Sequence, residues 1–257
     1  MHDGALDDRL HGALYFIAEC LQVTGSFKVR GAYNRMRQLT DGERKRGVIA
    51  TSAGNHTLRV AFSAKRLSVS ATVVMPTNAV VEKLPAVKAS GAEVLPYGHN
   101  STEMFAYMNH LAHQRDVVIH PFDDPQIIAG QGTVWLEMVQ DLPPVDSVLC
   151  AVSGGGLVSG VATAIKALMP TIEVIGVQPM EAAAAKKSLI EGHPVTLERA
   201  ESIADGLLTM RPGTSRFPSC GAGWMTSGWF PRNRFSVPWP ISFGISKWWP
   251  SHQVLWA

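Results

Sequence analysis

The sequence predicts an α/β fold built on parallel strands, and two observations carry this prediction. Short β-branched runs alternate along the chain with stretches that have the apolar spacing of helices, which is typical of successive βα units. Two of the apolar runs also lead directly into small, glycine-containing segments, at 52–56 and at 153–157. A chain of 257 residues is long enough to bury a sizeable core, as one large domain or as two lobes.

A run of βα units is predicted between residues 47 and 125, where we expect a small sheet of its own. A helix is predicted at 29–38, ahead of this run. Within the run, the predicted strands are 48–51, 71–75, 93–97 and 117–120, and the next helices are 58–65, 81–90 and 102–114. Pro76 ends the second strand, and Gly91 ends the third helix. Pro85 lies inside that helix, so it should either cause a kink or mark a later start.

The remaining periodic segments lie between residues 132 and 178. We predict helices at 132–141 and 158–168 and strands at 147–152 and 173–178. The strand at 147–152 is apolar and continues directly into Ser153 and three glycines. Large apolar side chains of the predicted elements are expected to fill the core, namely Phe62, Met104, Phe105, Met108 and Trp135.

Composition and charge fit a globular enzyme and speak against other classes of protein. With 17% charged residues and a net charge of +2, the chain gives no reason to expect binding to nucleic acid or to an acidic membrane. No apolar run approaches the roughly 18 residues of a membrane span, and the first residues do not resemble a signal peptide. Three widely spaced cysteines, Cys20, Cys150 and Cys220, argue against a disulfide framework or zinc site and favour the cytoplasm.

The last part of the chain differs from the rest. No Asp or Glu follows Asp205, and six of the seven tryptophans lie beyond that residue. Neither the period of a helix nor that of a strand can be followed there. One hypothesis is an unusual apolar lobe that covers the core. We favour a tail at 215–257 that was not selected for this fold, as a reading-frame shift near Thr214 would produce.

Lys28 is the side chain to which we assign the chemistry. It follows a Thr-Gly-Ser turn and opens the helix predicted at 29–38, for which Ser26 is the expected N-cap. A helix N-terminus should lower the pKa of the Lys28 amine and favour its neutral form, which is the form that attacks a carbonyl carbon. The alternative is a solvated lysine at the start of a helix.

Two strand-to-helix turns carry further candidate groups. The first is formed by Ser52, Ala53, Gly54, Asn55 and His56, and the second by Ser153, Gly154, Gly155, Gly156 and Leu157. In the first, Ser52 and Asn55 could bind a carboxylate or a phenolic oxygen, although His56 could instead cap the helix. In the second, backbone N–H groups and the helix dipole could bind a phosphate, although a plain tight turn is the alternative. An amine, an oxygen-binding turn and a phosphate cradle together predict pyridoxal 5′-phosphate as the cofactor.

Five segments in register resemble the serine/threonine dehydratase family of fold-type II pyridoxal-phosphate enzymes, which are related to the tryptophan synthase β subunit. These segments are SFKVRGA at 26–32, SAGNH at 52–56, HPFDD and IAGQGT within 120–133, SGGGL at 153–157 and IADGL at 203–207. The similarity runs from about Leu14 to Thr214. It implies a two-lobed α/β fold, in which 1–45 and 126–214 form a discontinuous cofactor-binding lobe and 46–125 a small lobe.

The resemblance also implies roles for individual residues. Lys28 would bind the cofactor as a Schiff base beside Phe27, and Asn55 would hydrogen-bond the 3′-oxygen of the ring. The backbone at 153–157 would hold the phosphate. The substrate carboxylate would be held by Ser52, Ala53, Gly54 and His56. The freed Lys28 amine would then remove the Cα proton of L-threonine, and loss of the β-hydroxyl would yield 2-oxobutanoate and ammonia.

Ala53 helps to choose among the activities of the family. Serine racemases of the family carry a serine here, which acts as an acid/base on the opposite face of the cofactor, so Ala53 favours elimination over racemisation. We therefore predict a threonine/serine dehydratase, a lyase that acts on a small amino-acid substrate. The alternatives are a racemase or a related hydroxy-amino-acid dehydratase on the same scaffold, and a catalytically impaired remnant of the family.

The sequence departs from the family pattern at several places. Arg59 stands where the family has a small residue. Metal-binding members have an acidic residue at the position of Gln178 and another near the position of Ala184. We therefore predict no metal site. The family's N-terminal Thr-Pro-Leu segment, its last large-domain elements and a regulatory domain are not found, so we expect a core truncated at the N-terminus with an aberrant tail. A homo-oligomer is expected because members of the family usually form dimers.

Overall fold

The structure is a computed structural model that describes residues 7, 12–52, 54–77, 84–112, 117–214 and 228–230. It divides into two compact units. The lysine unit is Gln22–Gln131, and the glycine-loop unit consists of Met1–Leu21 together with Gly132–Ala257. In the described ranges, no helix combines the length and the apolar character that crossing a membrane requires.

The lysine unit alternates strands and helices as the sequence predicts. Its strands are β1 (Val48–Thr51), β2 (Ala71–Met75), β3 (Glu93–Pro96) and β4 (Val117–Val118). Its helices are α1 (Lys28–Arg37), α2 (Asp41–Arg46), α3 (Asn55–Leu67), α4 (Leu84–Ala89), α5 (Ser101–Ala112) and the first residues of α6 (Pro125–Asp141). The α/β fold class is thereby confirmed.

The four strands of the lysine unit form one parallel sheet in the order β3-β2-β1-β4, so the predicted small sheet exists. β1 is buried at every residue because helices cover both of its faces. Val48 belongs to a core cluster with Met36 of α1 and Val60 of α3. The next residue, Ile49, belongs to another cluster with Met108 of α5. Successive side chains of the strand therefore contact helices on opposite faces of the sheet.

One helix begins earlier than predicted, and another begins at the later start that Pro85 was predicted to allow. α6 begins at Pro125 rather than at residue 132, because Asp124 Oδ1 accepts the N–H groups of Gln126 at 2.7 Å and Ile127 at 3.1 Å. This side chain satisfies two donors of the first turn, as an N-cap does. α4 begins at Leu84, so Pro85 lies in the first turn, where its missing N–H removes no helical hydrogen bond.

α1 crosses α6 at two glycines. A Cβ atom on Gly130 would lie 2.6 Å from the Cα atom of Gly31, and a Cβ atom on Gly31 would lie 2.7 Å from the carbonyl oxygen of Ile127. Only residues without a side chain allow the two backbones to approach so closely. The N–H group of Gly31 also donates to Gln131 Oε1 at 3.3 Å. The helix that begins with Lys28 is thus fixed against α6.

The glycine-loop unit contains a second parallel sheet. Its strands β5 (Ser147–Ala151), β6 (Glu173–Pro179) and β7 (Gly228–Phe230) lie in the order β5-β6-β7. Helix α7 (Gly156–Leu168) connects β5 to β6, and α8 (Ala184–Glu191) follows β6. β7 belongs to the segment in which no periodicity was found, and the rest of 215–257 lies outside the described residues. Both hypotheses about that segment remain predictions.

The boundaries of the two units differ from those of the predicted lobes. Residues 22–45 belong here to the lysine unit, together with the sheet β1–β4. The predicted assignment of 1–45 and 126–214 to one lobe and 46–125 to another remains a prediction.

Candidate active site

Lys28 is the first residue of α1. Phe27 occupies the N-cap position, and no side chain caps this helix, so the prediction that Ser26 is its N-cap is wrong. The Ser26 hydroxyl only accepts the Lys28 backbone N–H, at 3.4 Å. The Lys28 amine donates to the carbonyl oxygen of Pro121 at 3.3 Å and lies 5.3 Å from the centroid of the Phe27 ring. These contacts hold the amine in a fixed position.

The pKa of the Lys28 amine is lower than that of an ordinary lysine. Desolvation by the surrounding protein, followed by the positive charge of Arg59, lowers its pKa from 10.5 to about 8. About a tenth of the amine is therefore neutral at pH 7, compared with fewer than about one molecule in a thousand for an ordinary lysine. The position at a helix N-terminus predicted a lowered pKa, whereas burial and a neighbouring cation are its causes here. Either way, the amine is prepared to attack a carbonyl carbon.

His56 is buried on α3. Its Nε2 atom lies 2.8 Å from the carbonyl oxygen of Ile119. Because a carbonyl oxygen only accepts, Nε2 carries the hydrogen and Nδ1 is left as the acceptor of the ring. Burial, followed by the charge of Lys28, lowers the pKa of His56 to about 3, so the ring is neutral at physiological pH. His56 therefore binds the segment after β4 instead of capping its own helix.

Short hydrogen bonds fix the turn between β1 and α3. The Ser52 hydroxyl accepts the N–H group of Gly54 at 3.1 Å. The Thr57 hydroxyl donates to the carbonyl oxygen of Gly54 at 2.8 Å. Ser52 and Gly54 are thus built into the turn that precedes Asn55. Ala53 lies outside the described residues, so its predicted role remains a prediction.

Arg59 is a member of this site that the sequence analysis did not assign. Its Nη1 atom donates to Asn55 Oδ1 at 3.3 Å, and its side chain is buried, with the residue only 4% exposed. Among the residues that the structure describes, its Nε atom has no hydrogen-bond partner. Burial lowers the pKa of the Arg59 guanidinium to about 10, so it stays charged at neutral pH. The spacing of one helical turn from Asn55 is the signal that could have identified it.

Four basic groups of the lysine unit influence one another electrostatically. His120 Nδ1 accepts the N–H group of Asp123 at 2.8 Å. Burial lowers the pKa of His120 to about 4, opposed by the carboxylate of Asp123 and reinforced by Lys28. His56 is affected in turn by Lys28, His120 and Arg59. Lys28 and Arg59, the two groups of this cluster that carry charge at neutral pH, favour an anionic ligand.

The glycine loop connects β5 to α7 in the other unit. Gly155 has φ +96°, and an added Cβ atom would meet nothing within 4 Å, so the space beside it is open. α7 begins at Gly156, so the N–H groups of Gly156 and Leu157 have no acceptor within the helix. The positive end of the helix dipole also lies there. This is the arrangement that a phosphate cradle requires.

Thr209 supports the glycine loop from a distant part of the chain. The Ser153 hydroxyl donates to Thr209 Oγ1 at 2.7 Å and accepts the Thr209 N–H at 3.3 Å. The N–H group of Gly213 donates to the carbonyl oxygen of Gly154 at 3.0 Å. No local sequence pattern indicates Thr209, because its partner lies 56 residues away.

Gln178 has a structural role on β6. Its Nε2 atom donates to the carbonyl oxygen of Val152 at 3.3 Å, and its Oε1 atom accepts the N–H group of Lys186 at 3.0 Å. The buried amide therefore connects the residue before the glycine loop to α8.

The predicted site residues thus fall into two sets. Phe27, Lys28, Ser52, Gly54, Asn55 and His56 lie in the lysine unit, and 153–157 lie in the glycine-loop unit. The chemistry of each set fits one part of pyridoxal phosphate. A lysine of lowered pKa suits an aldehyde, and unpaired N–H groups at a helix start suit a phosphate.

A parallel α/β fold with these two sets of groups defines the class of fold-type II pyridoxal-phosphate enzymes. The chain belongs to the pyridoxal-phosphate dependent enzyme family, which it matches over residues 4–223. The predicted family resemblance is thereby confirmed, and pyridoxal phosphate is the cofactor of this family.

Individual relatives agree with this family. An L-threonine ammonia-lyase of Thermotoga maritima is 42% identical over 217 residues, which are 84% of this chain and 54% of the relative. The processed form of threonine deaminase isoform 2 from Solanum lycopersicum superposes with a TM-score of 0.85 at 39% identity, covering 88% of this chain and 66% of that one. Maize serine racemase gives a TM-score of 0.90 at 31% identity, covering 96% and 75%. The chain spans about half the length of the curated relatives it matches.

Proposed function

We propose that this chain carries the core of a threonine/serine dehydratase, which converts L-threonine to 2-oxobutanoate and ammonia by β-elimination with pyridoxal phosphate. The observation that carries the proposal is the Lys28 amine, which donates to the carbonyl oxygen of Pro121 at 3.3 Å and lies beside the Phe27 ring. Its lowered pKa supports a part in imine formation and proton transfer near neutral pH. Relatives at 42% and 41% identity are named L-threonine ammonia-lyases, which supports the substrate class.

In this proposal Lys28 has two tasks. Its Nζ atom would hold the cofactor, and as a free amine it would take the Cα proton of the substrate. Pyridoxal phosphate would supply an electron sink for this reaction. The carbonyl oxygen of Pro121 accepts a hydrogen bond from Nζ and so keeps the amine in position between these tasks.

The other residues of the proposed site bind and orient. The Asn55 amide would donate to the ring oxygen of the cofactor, and Ser52, Ala53, Gly54 and His56 would hold the substrate carboxylate. His56 is neutral, so it contributes a hydrogen-bonding ring and not a charge. In the glycine-loop unit, the N–H groups at 154–157 hold the phosphate, and Thr209 keeps the Ser153 hydroxyl in place.

The experiment compares wild type with Lys28→Ala after incubation with pyridoxal phosphate. Borohydride reduction followed by peptide mass spectrometry should show the cofactor attached to Lys28 in wild type and to no residue in the variant. Only wild type should then form 2-oxobutanoate from L-threonine. The matched control is Lys65→Ala, an exposed lysine on α3, which should behave as wild type. Equal labelling of wild type and Lys28→Ala would contradict the assignment.

A serine racemase is the second candidate, since maize serine racemase superposes with a TM-score of 0.90. Chiral analysis of the products separates the two activities, because a racemase converts L-serine to D-serine and a dehydratase converts it to a 2-oxo acid. The third candidate is an impaired remnant of the family. It would bind the cofactor at Lys28 but release neither product.

We further propose a cytoplasmic homo-oligomer. The location is supported by thiols that form no disulfide in the described part of the chain, where Cys20 is exposed and Cys150 buried. Burial raises the pKa of the Cys150 thiol to about 12, so this thiol is unreactive. Light scattering of the purified protein and fractionation of the cells that make it would test the two statements.

A further inference from the structure

Arg59 is the feature of the lysine unit that the proposed function leaves unexplained. We propose that Arg59 is a positioning residue of the lysine site, which holds the side-chain oxygen of Asn55 and places a fixed positive charge near the Lys28 amine. The proposal deepens the function proposed above and rests on it.

The first part concerns the orientation of the Asn55 amide. A guanidinium has donors only, so the Asn55 atom 3.3 Å from Arg59 Nη1 must be the oxygen. The Nδ2 group of Asn55 is then the free end of the amide, and it has no hydrogen-bond acceptor among the described residues. Since this end only donates, it selects an acceptor, such as a deprotonated ring oxygen of the cofactor.

The second part concerns the charge near Lys28. The basic groups that affect the amine or are affected by it are Arg59 and His56 on α3 and His120 after β4. The two histidines are neutral at physiological pH, so Arg59 is the cation of this group that stays charged throughout. Its charge therefore adds to burial in favouring the neutral amine.

Arg59 is not explained by stability. A buried guanidinium with one unpaired donor is costly, and replacing such a group by an apolar side chain often leaves a protein equally or more stable. Burial leaves its charge without a compensating carboxylate among the groups that set its pKa. A role in the site accounts for both of its observed interactions, the bond to Asn55 and the effect on Lys28.

The first measurement uses the cofactor-free protein. Lys28 is acetylated at a series of pH values with acetic anhydride, and mass spectrometry gives the midpoint of its reactivity. Wild type should give a midpoint at about 8, and Arg59→Leu should move it upward by the smaller part of the difference from 10.5, because burial is the larger cause of the lowered pKa. Arg59→Lys retains the charge and should keep the midpoint of wild type. Arg59→Gln is the neutral variant to use where Arg59→Leu does not fold.

The second measurement tests the bond to Asn55 through the dissociation constant of pyridoxal phosphate. Arg59→Leu should weaken binding about two- to tenfold, the loss expected for one misoriented hydrogen bond. When Asn55 is already replaced by alanine, Arg59→Leu should change the dissociation constant only through its effect on the pKa of the Lys28 amine. The control is Arg66→Leu, an exposed arginine on the same helix, which should change neither measurement.

The outcomes are distinct. An unchanged Lys28 midpoint in both Arg59→Leu and Arg59→Gln overturns the proposal, whatever the protein does with the cofactor. An equal loss of affinity in the presence and absence of Asn55 overturns the positioning of the amide. The midpoint could shift in the Arg59 variants while wild type never attaches pyridoxal phosphate to Lys28. That result supports Arg59 as the source of the charge effect and contradicts the proposed function.

Discussion

Gly155 shows how one backbone angle can matter to a site. Its φ of +96° lies in the region that side chains disfavour, although there is open space for a Cβ atom. The cost of a substitution there comes from the backbone and not from a collision. The same holds for Gly192, which ends α8 at φ +73° and is not assigned to the site.

Gly155→Ala should lower the free energy of unfolding by about 1–2 kcal/mol and weaken the binding of pyridoxal phosphate. Urea denaturation and a binding titration measure the two effects. Gly192→Ala is the matched control, because it should lose similar stability and keep its affinity. Equal affinity losses in both variants would contradict a special role for the glycine loop.

Thr209 gives a second prediction for a single residue. Thr209→Val removes the hydroxyl that accepts from Ser153 at 2.7 Å, so the loop loses about 1 kcal/mol of support. We expect weaker phosphate binding, with no change in the reactivity of Lys28 toward acetic anhydride. Thr209→Ser retains the hydroxyl and should bind as wild type does. A binding loss in Thr209→Ser as well would point to the methyl group instead.

The sequence motifs point to the candidate residues whose proposed role is local. Lys28, Asn55 and the loop glycines stand in short patterns whose chemistry can be read without a partner. Arg59 and Thr209 escaped because their importance depends on atoms brought close by folding. For Arg59, a helical turn separates it from Asn55, and for Thr209, 56 residues separate it from Ser153.

At the scale of elements, the crossing of α1 and α6 determines where Lys28 lies. Gly130→Ala would place a Cβ atom 2.6 Å from Gly31, so the helices must separate. We expect a loss of about 1–3 kcal/mol in the free energy of unfolding and a changed pH midpoint for Lys28. Thermal unfolding and the acetylation profile are the measurements.

The matched control for this prediction is Gly42→Ala on α2. Its added Cβ would lie 3.8 Å from the nearest atom, on Arg46, so it should raise stability by up to about 1 kcal/mol. An intact Lys28 profile in Gly130→Ala would show that the amine does not depend on this crossing.

Strands were predicted more closely than helix starts. Apolar β-branched runs bounded by Pro76 or Gly91 locate strands and chain reversals within a residue or two. The start of α6 was missed because Asp124 caps it through a side chain, which the apolar pattern does not report. The crossing of α1 and α6 could not be predicted, since it depends on which helices meet.

At the scale of the whole molecule, stability should depend on pH through His56. Its folded pKa of about 3 lies below the unfolded value of 6.5, so between these values the unfolded chain binds a proton that the folded one excludes. The contribution of His56 to the free energy of unfolding is therefore fully present above pH 6.5 and is lost as the pH decreases toward 3. At pH 5 the loss from His56 is about 2 kcal/mol.

Urea denaturation at pH 7 and pH 5 measures this loss. His56→Gln, which retains a hydrogen-bonding side chain without a titrating group, should show a smaller difference between the two pH values. The exposed His110 on α5 is the control, and His110→Gln should retain the full wild-type difference. An equal pH dependence in wild type and His56→Gln would contradict the assignment of the buried neutral ring.

The basic cluster around Lys28 has a consequence for the lifetime of the chain. Lys28 and Arg59 carry charges of the same sign, which repel each other in the folded chain, and an anion bound beside them would relieve that repulsion. Any ligand that binds only the folded form raises its stability, by about 2.7 kcal/mol at a concentration one hundred times the dissociation constant. The cellular supply of pyridoxal phosphate would then determine how much of this polypeptide escapes degradation, before it determines how fast any substrate is consumed.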